Sequence, residues 1–169
     1  NNDENEQHYD NKLFISASNF TKEILFKAGD TNVETGLSVA IAKPEEHDIK
    51  VTMSPAPELL STYKLAYYDE TAVLLSEEHY SMPETSTTIK SGSIVSPELP
   101  IEFINTGELD IKTTYVLPVT IKSVEGIGVL QSAKTYYYVF RGASLINVVC
   151  NISRNRAYPD FKNDSKFNN

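Results

Sequence analysis

The chain contains no tryptophan and a single cysteine among its 169 residues. Without tryptophan, the cysteine–tryptophan–cysteine core of antibody domains is absent. One cysteine, Cys150, excludes an internal disulfide. It sits in the apolar run Leu145-Ile-Asn-Val-Val-Cys150, where a lone cysteine ordinarily serves as a small buried hydrophobe. A catalytic thiol would need a base, and the nearest histidine in sequence is His79. No run of 18 apolar residues exists, so no segment is expected to span a bilayer as a helix. No apolar h-region opens the chain, and the expectation is that any signal peptide has already been removed or trimmed away. Basic residues are the scarcer sign, 15 against 23 acidic, for a net charge of -8. That balance argues against nucleic acid and against charge-driven binding to an anionic membrane. An acidic surface also serves solubility alone.

What is present is β pattern. The chain is 40% hydrophobic, enough to build a core at this length. Asn1–Lys12 is almost wholly polar and reads as a flexible lead (residues 1–12). Strands are expected at Leu13–Ser16, Lys22–Lys27, Leu37–Ala42, Ile49–Met53 and Ser86–Lys90, with a turn at Gly29, Asp30 and Asn32. Ser96–Ile104 is a further candidate. Pro97 and Pro100 assign it to a sheet edge or a bulge, because proline removes a ladder donor. Thr71–Leu75 is an ambiguous apolar run, and Glu77–Pro83 reads as a loop. Tyr115–Lys122 and Lys134–Phe140 flank the turn Glu125-Gly-Ile-Gly128, like the last hairpin of a sandwich. In the second of these, Thr135, Tyr137 and Val139 share one face, and Tyr136, Tyr138 and Phe140 the other. Pro55–Tyr68 breaks the pattern. Leu59, Leu60, Tyr63, Tyr67 and Tyr68 recur at helical offsets behind Pro55 and Pro57, which predicts a short helix packed on one end of the sandwich. The fold expected is an all-β immunoglobulin-like β-sandwich with one short helix over residues 13–141. Residues 142–169 change character and read as a C-terminal extension or the start of a second domain.

Three stretches carry a family resemblance. The first is Leu37-Ser-Val-Ala-Ile-Ala-Lys-Pro44 leading into Ile49-Lys-Val-Thr-Met53. The second is Leu74-Leu-Ser-Glu-Glu-His-Tyr-Ser-Met-Pro83 with Thr88-Ile-Lys-Ser-Gly92. The third is Tyr115-Val-Leu-Pro-Val-Thr-Ile-Lys-Ser-Val124 with Lys134-Thr-Tyr-Tyr-Tyr138. In this order and spacing they resemble the DUF1735-type N-terminal immunoglobulin-like module of Bacteroidetes surface lipoproteins. Ser76 stands where that family often has proline, and His79 where it often has an aromatic. Tyr68-Asp-Glu-Thr-Ala72 replaces its usual Asn-Gly-rich turn. The resemblance implies a lipid anchor ahead of the polar lead, outside this chain, and a cell-surface, outer-membrane location. It also implies a glycan-binding or glycan-cleaving domain downstream in the same polypeptide. No catalysis is assigned to such modules, and no functional residues carry over.

Candidate sites are few. His47 lies in Glu45-Glu-His-Asp48 and His79 in Glu77-Glu-His-Tyr80; neither has zinc spacing, and solvated loop charge is the competing reading. The adjacent pairs Asp69/Glu70 and Glu77/Glu78 do not by themselves give the separation that glycoside hydrolysis needs across a cleft. No catalytic residue, metal or cofactor is therefore expected. Tyr67, Tyr68 and Tyr80 are the sharper hypothesis, because aromatic faces stack on sugar rings and the phenol adds a hydrogen bond. The competing reading is that Tyr63 and at least one of Tyr67 and Tyr68 cap the core. The expected function is a non-catalytic module that spaces or orients a glycan-binding domain, with or without weak carbohydrate binding of its own. Alternatives are an accessory domain of a secreted glycoside hydrolase, or a structural or adhesive subunit. Prolines at an edge argue against the last.

Overall fold

The computed structural model describes residues 10–142 except 28, 30 and 31. Its strands are β1 (Lys12–Ile15), β2 (Thr21–Phe26), β3 (Val33–Leu37), β4 (Val39–Ala40), β5 (Ile49–Pro55) and β6 (Val73–Leu74). They continue with β7 (Tyr80–Ser81), β8 (Ser86–Ile89), β9 (Leu99–Phe103), β10 (Tyr115–Val124), β11 (Gly128–Val129) and β12 (Thr135–Gly142). One α-helix, α1 (Leu60–Ala66), lies between β5 and β6. Cys150 and the expected change of character after residue 142 lie outside the described residues.

Alternation builds the layers. In β5, Ile49, Val51 and Met53 are buried while Lys50 and Thr52 point away; in β9, Leu99, Ile101 and Phe103 are buried. The largest sheet runs β2-β12-β10-β5-β8, with β6 paired to the start of β10. Two smaller sheets, β11-β1-β4 and β3-β9-β7, face it. All three contribute to one core, from Leu13, Val39 and Phe103 on one side to Phe26, Val119 and Tyr138 on the other. This is the sandwich expected, and the β10–β12 hairpin sits at its centre, with Val116 opposite Val139 and Pro118 opposite Tyr137. Gly126 in its connection has φ +87, and a Cβ there would lie 3.0 Å from the His47 ring.

The prolines are placed where a missing N–H is tolerated. β9 is the middle strand of its sheet, but β7 covers only Phe103 and Glu102, so one side is open at Pro100. Pro118 lies inside the long central β10, where its neighbour changes from β6 (opposite Tyr115 and Val116) to β5 (opposite Val119 onward). Its carbonyl still accepts from the Ala56 N–H at 2.8 Å.

Several expectations need adjustment. The run Leu37–Ala42 is not one strand: β3 ends at Leu37 and β4 begins at Val39 in a different sheet. The loop Glu77–Pro83 contains a short 3-10 turn, in which the Ser76 hydroxyl accepts from the Glu78 N–H, and then β7. The helix does not sit at an end of the sandwich. Residues Tyr136 to Phe140 are buried without a break. Tyr136, Tyr138 and Phe140 enter the main core, whereas Tyr137 and Val139 form a second cluster with Val116, Ala72 and Tyr63 of α1. A strand that is apolar on both faces must be covered on both, and α1 covers the outer one.

Phe103 ties the layers together. Its ring meets Tyr138 at 5.1 Å and Phe140 at 4.6 Å, both edge-on. Such pairs add about 0.5–1.5 kcal/mol beyond area burial. We predict that Phe103→Ala lowers unfolding free energy by about 3–5 kcal/mol in urea titration. A loss below about 1 kcal/mol would show that the two layers do not depend on this contact.

Candidate functional site

The outer face of the large sheet is where polar and aromatic groups converge. Tyr63 is 2% exposed, and its hydroxyl donates to Asp69 Oδ2 at 3.0 Å. Arg141 Nη2 donates to the same oxygen at 3.2 Å, and Nη1 donates to Thr114 Oγ1 at 3.0 Å. Arg141 Nε also pairs with Glu23 on β2. Burial, then the hydrogen bond to Asp69 and its charge, push the Tyr63 phenol up to about 12.

Tyr67 leans on this assembly. Its ring stacks on Tyr63 at 5.0 Å with 29° between planes and meets Tyr137 edge-on at 6.0 Å. It remains 44% exposed. That surface lines a groove of about 410 Å³. Glu58, Leu59, Thr62 and Ala66 from the helix side form one wall, and Phe20, Gln131, Ser132 and Lys134 the other. Thr120, Thr135 and Tyr137 come from the sheet beneath.

Tyr68 is 92% exposed with φ +54, and no contact holds its ring. The Asp69 N–H bonds the Lys64 carbonyl at 3.1 Å, which closes the helix with Tyr68 at the left-handed position usually given to glycine. Tyr80 is elsewhere. It pairs with Phe103 in the small sheet and packs against the main core, on the opposite side of the large sheet from Tyr67. Burial raises the Tyr80 phenol above its ordinary value, with Glu77 adding to it. The structure thus places Tyr67 and Tyr68 at one helix end and Tyr80 apart from them.

The other candidates have structural partners. His79 is buried; its Nδ1 donates to the Ile104 carbonyl at 2.9 Å, and the Ile104 N–H returns a bond to the His79 carbonyl. His47 is exposed, with Nδ1 donating to the Asp48 carbonyl at 3.1 Å and Nε2 3.7 Å from Glu45. No cluster of three or more His, Cys, Asp and Glu side chains suited to a metal occurs among the described residues. Asp69 is committed to Tyr63 and Arg141. Sequence reasoning missed the Arg141–Asp69 pair and the groove residues Thr120, Gln131 and Thr135. The pair joins positions 72 residues apart, and no local pattern marks it. No helix of the described residues is long and apolar enough to cross a membrane.

A family model described as "-like, N-terminal domain" matches residues 9–128, more than half of the chain. No curated protein matches. Among solved structures, a Bacteroides ovatus protein described as carbohydrate-binding is similar at 19% identity and TM-score 0.65, over 77% of this chain and 36% of that one. Bacteroides thetaiotamicron EndoBT-3987, solved with a Man5GlcNAc product, is similar at 19% identity and TM-score 0.63, over 77% and 30%. A multidomain Bacteroides ovatus protein including DUF1735 is similar at 19% identity and TM-score 0.52, over 78% and 43%. The chain spans less than half the length of each of these three.

Two predictions arise from the helix end. Tyr68→Gly is expected to raise unfolding free energy by about 0.5–1 kcal/mol, because relief of the left-handed strain exceeds the added chain entropy. A lowered urea midpoint would show that the Tyr68 ring makes a stabilising contact. The second concerns alkali. An unfolded tyrosine loses its proton near pH 10, whereas folded Tyr63 holds it to about 12. Between those values the folded chain binds the extra proton, so stability falls as pH rises through the window. We expect a shallower fall in Tyr63→Phe than in the parent, and equal slopes would remove Tyr63 from the account.

Proposed function

Because this chain belongs to the DUF1735-type family of N-terminal domains, we propose that it is a non-catalytic accessory module of a glycan-handling surface protein. In this reading it spaces and orients a glycan-binding or glycan-cleaving domain in the same polypeptide. A lipid anchor outside these residues holds the assembly at the cell surface. The observation that carries it is the recurrence of this sandwich as about a third of the length of a chain described as carbohydrate-binding and of EndoBT-3987, solved with a Man5GlcNAc product. The physical arrangement supports the same role. At the outer face Asp69 is engaged by Arg141 and Tyr63, and Glu23 by Arg141, so these two carboxylates are not free to protonate and attack a glycosidic bond. The polypeptide partner supplies any chemistry, and no cofactor or metal enters this module's role.

The purified chain is expected to release no new reducing ends from mannose-type or plant oligosaccharides. Turnover that scales with chain concentration and survives further purification would overturn the non-catalytic assignment.

A further inference from the structure

We propose that the groove between α1 and the Gln131–Thr135 segment binds a neutral sugar ring, with Tyr67 as its stacking platform. This rests on the glycan-handling reading above but assigns a site and a ligand class that the reading does not require. The volume of about 410 Å³ falls within the range of roughly 300–1,000 Å³ usual for small-molecule sites.

The argument begins with how firmly Tyr67 is held. One face of its ring is occupied by Tyr63, and an edge contact to Tyr137 fixes its tilt. Tyr63 is fixed in turn by Asp69, and Asp69 by Arg141. An exposed aromatic anchored through three successive contacts costs little further ordering when a ligand stacks on it. The C–H face of a pyranose suits such a surface, and the tyrosine hydroxyl can serve a sugar hydroxyl.

The groove floor has directed hydrogen-bonding capacity. Thr120 Oγ1 lies 3.1 Å from the Lys134 carbonyl and 2.9 Å from Thr135 Oγ1. A carbonyl can only accept, so Thr120 gives it its single proton, and Thr135 then donates to Thr120. Thr135 keeps its lone pairs as acceptors for a ligand hydroxyl. Lys134 also lines the groove, and a lysine ammonium can only donate. An acceptor beside a donor matches two neighbouring sugar hydroxyls, each of which can do either.

Charge selects the neutral class. Glu58 and Lys134 give the lining one charge of each sign, and the chain as a whole carries -8. A polyanionic glycan is repelled at long range without a compensating excess of cations in the groove.

Calorimetry on the chain with a mannose-type oligosaccharide, a neutral β-glucan oligosaccharide and a uronic-acid polymer tests this. Saturable binding of a neutral oligosaccharide is expected, weakened at least tenfold in Tyr67→Ala and several-fold in Thr135→Val. Tyr80→Phe should bind as the parent does, and unfolding midpoints check that each variant is folded. Thr135→Val keeps the side chain's shape, so its result stands if Tyr67→Ala proves unstable. Silence across the panel, binding of the uronic-acid polymer alone, or undiminished binding in both groove variants would overturn the proposal. None of those outcomes touches the non-catalytic accessory role, which fails only on hydrolysis.

Discussion

The pairing of β10 with β12 is the constraint on which the rest of the structure depends. From Tyr136 to Phe140 every side chain of β12 is buried, three into the main core and two into the cluster under the helix. β10 is likewise buried from Val116 to Val119. A hairpin of this kind cannot be left with one face in water. Each buried ring and aliphatic group is worth about 1.5–3 kcal/mol only if something covers it. The two small sheets cover the inner face, and α1 covers the outer. Tyr63 is the side chain through which that helix docks, and its buried hydroxyl then requires an acceptor. Asp69 supplies it, and the partly buried Asp69 requires Arg141. The polar network follows from the apolar one.

How much of this was legible can be judged element by element. The alternation in Ile49–Met53 and Leu99–Phe103 identifies half-buried strands, because solvent on one face imposes a period of two. The Gly-rich turn at Glu125–Gly128 identifies the hairpin, and the helical offsets from Leu59 to Tyr67 identify α1. The docking of α1 was less legible. A helix at an end and a helix on a face give the same periodicity, and the distinguishing signal lies in another element, the unbroken apolar run of β12. Val33–Leu37 was missed because β3 reads Val-Glu-Thr-Gly-Leu, with only its last residue buried. Pro118 shows the converse. Proline inside a central strand argues against that strand unless its open side falls between two partners, and the change from β6 to β5 cannot be read locally.

The tyrosines illustrate the limit for sites. Tyr67, Tyr68 and Tyr80 are chemically equivalent in sequence, but the fold gives each a different environment. Tyr80 is half-buried against the inner core beside Phe103. Tyr68 is unsupported at the left-handed helix terminus. Only Tyr67 combines exposure with a rigid support, and that support comes from residues in α1, β12 and the turn after the helix. Nothing in the residue type separates the three, because the difference lies in what stands behind each ring.

Tyr68 raises the opposite question, since a fully exposed aromatic occupies a conformation that disfavours a side chain by about 1–2 kcal/mol. A glycine would meet the backbone requirement without that cost. The Asp69 N–H closes the helix through its backbone and would do so with glycine at position 68, so capping does not account for the ring. Stability does not account for it either, because the ring has no contact that offsets the strain. A residue that is locally unfavourable and structurally unneeded calls for an explanation outside the folded domain. Its position beside Tyr67 at the same helix end points to the surface α1 presents rather than to the core it covers. Tyr68 is the exposed aromatic nearest in sequence to the groove, although it does not itself line it.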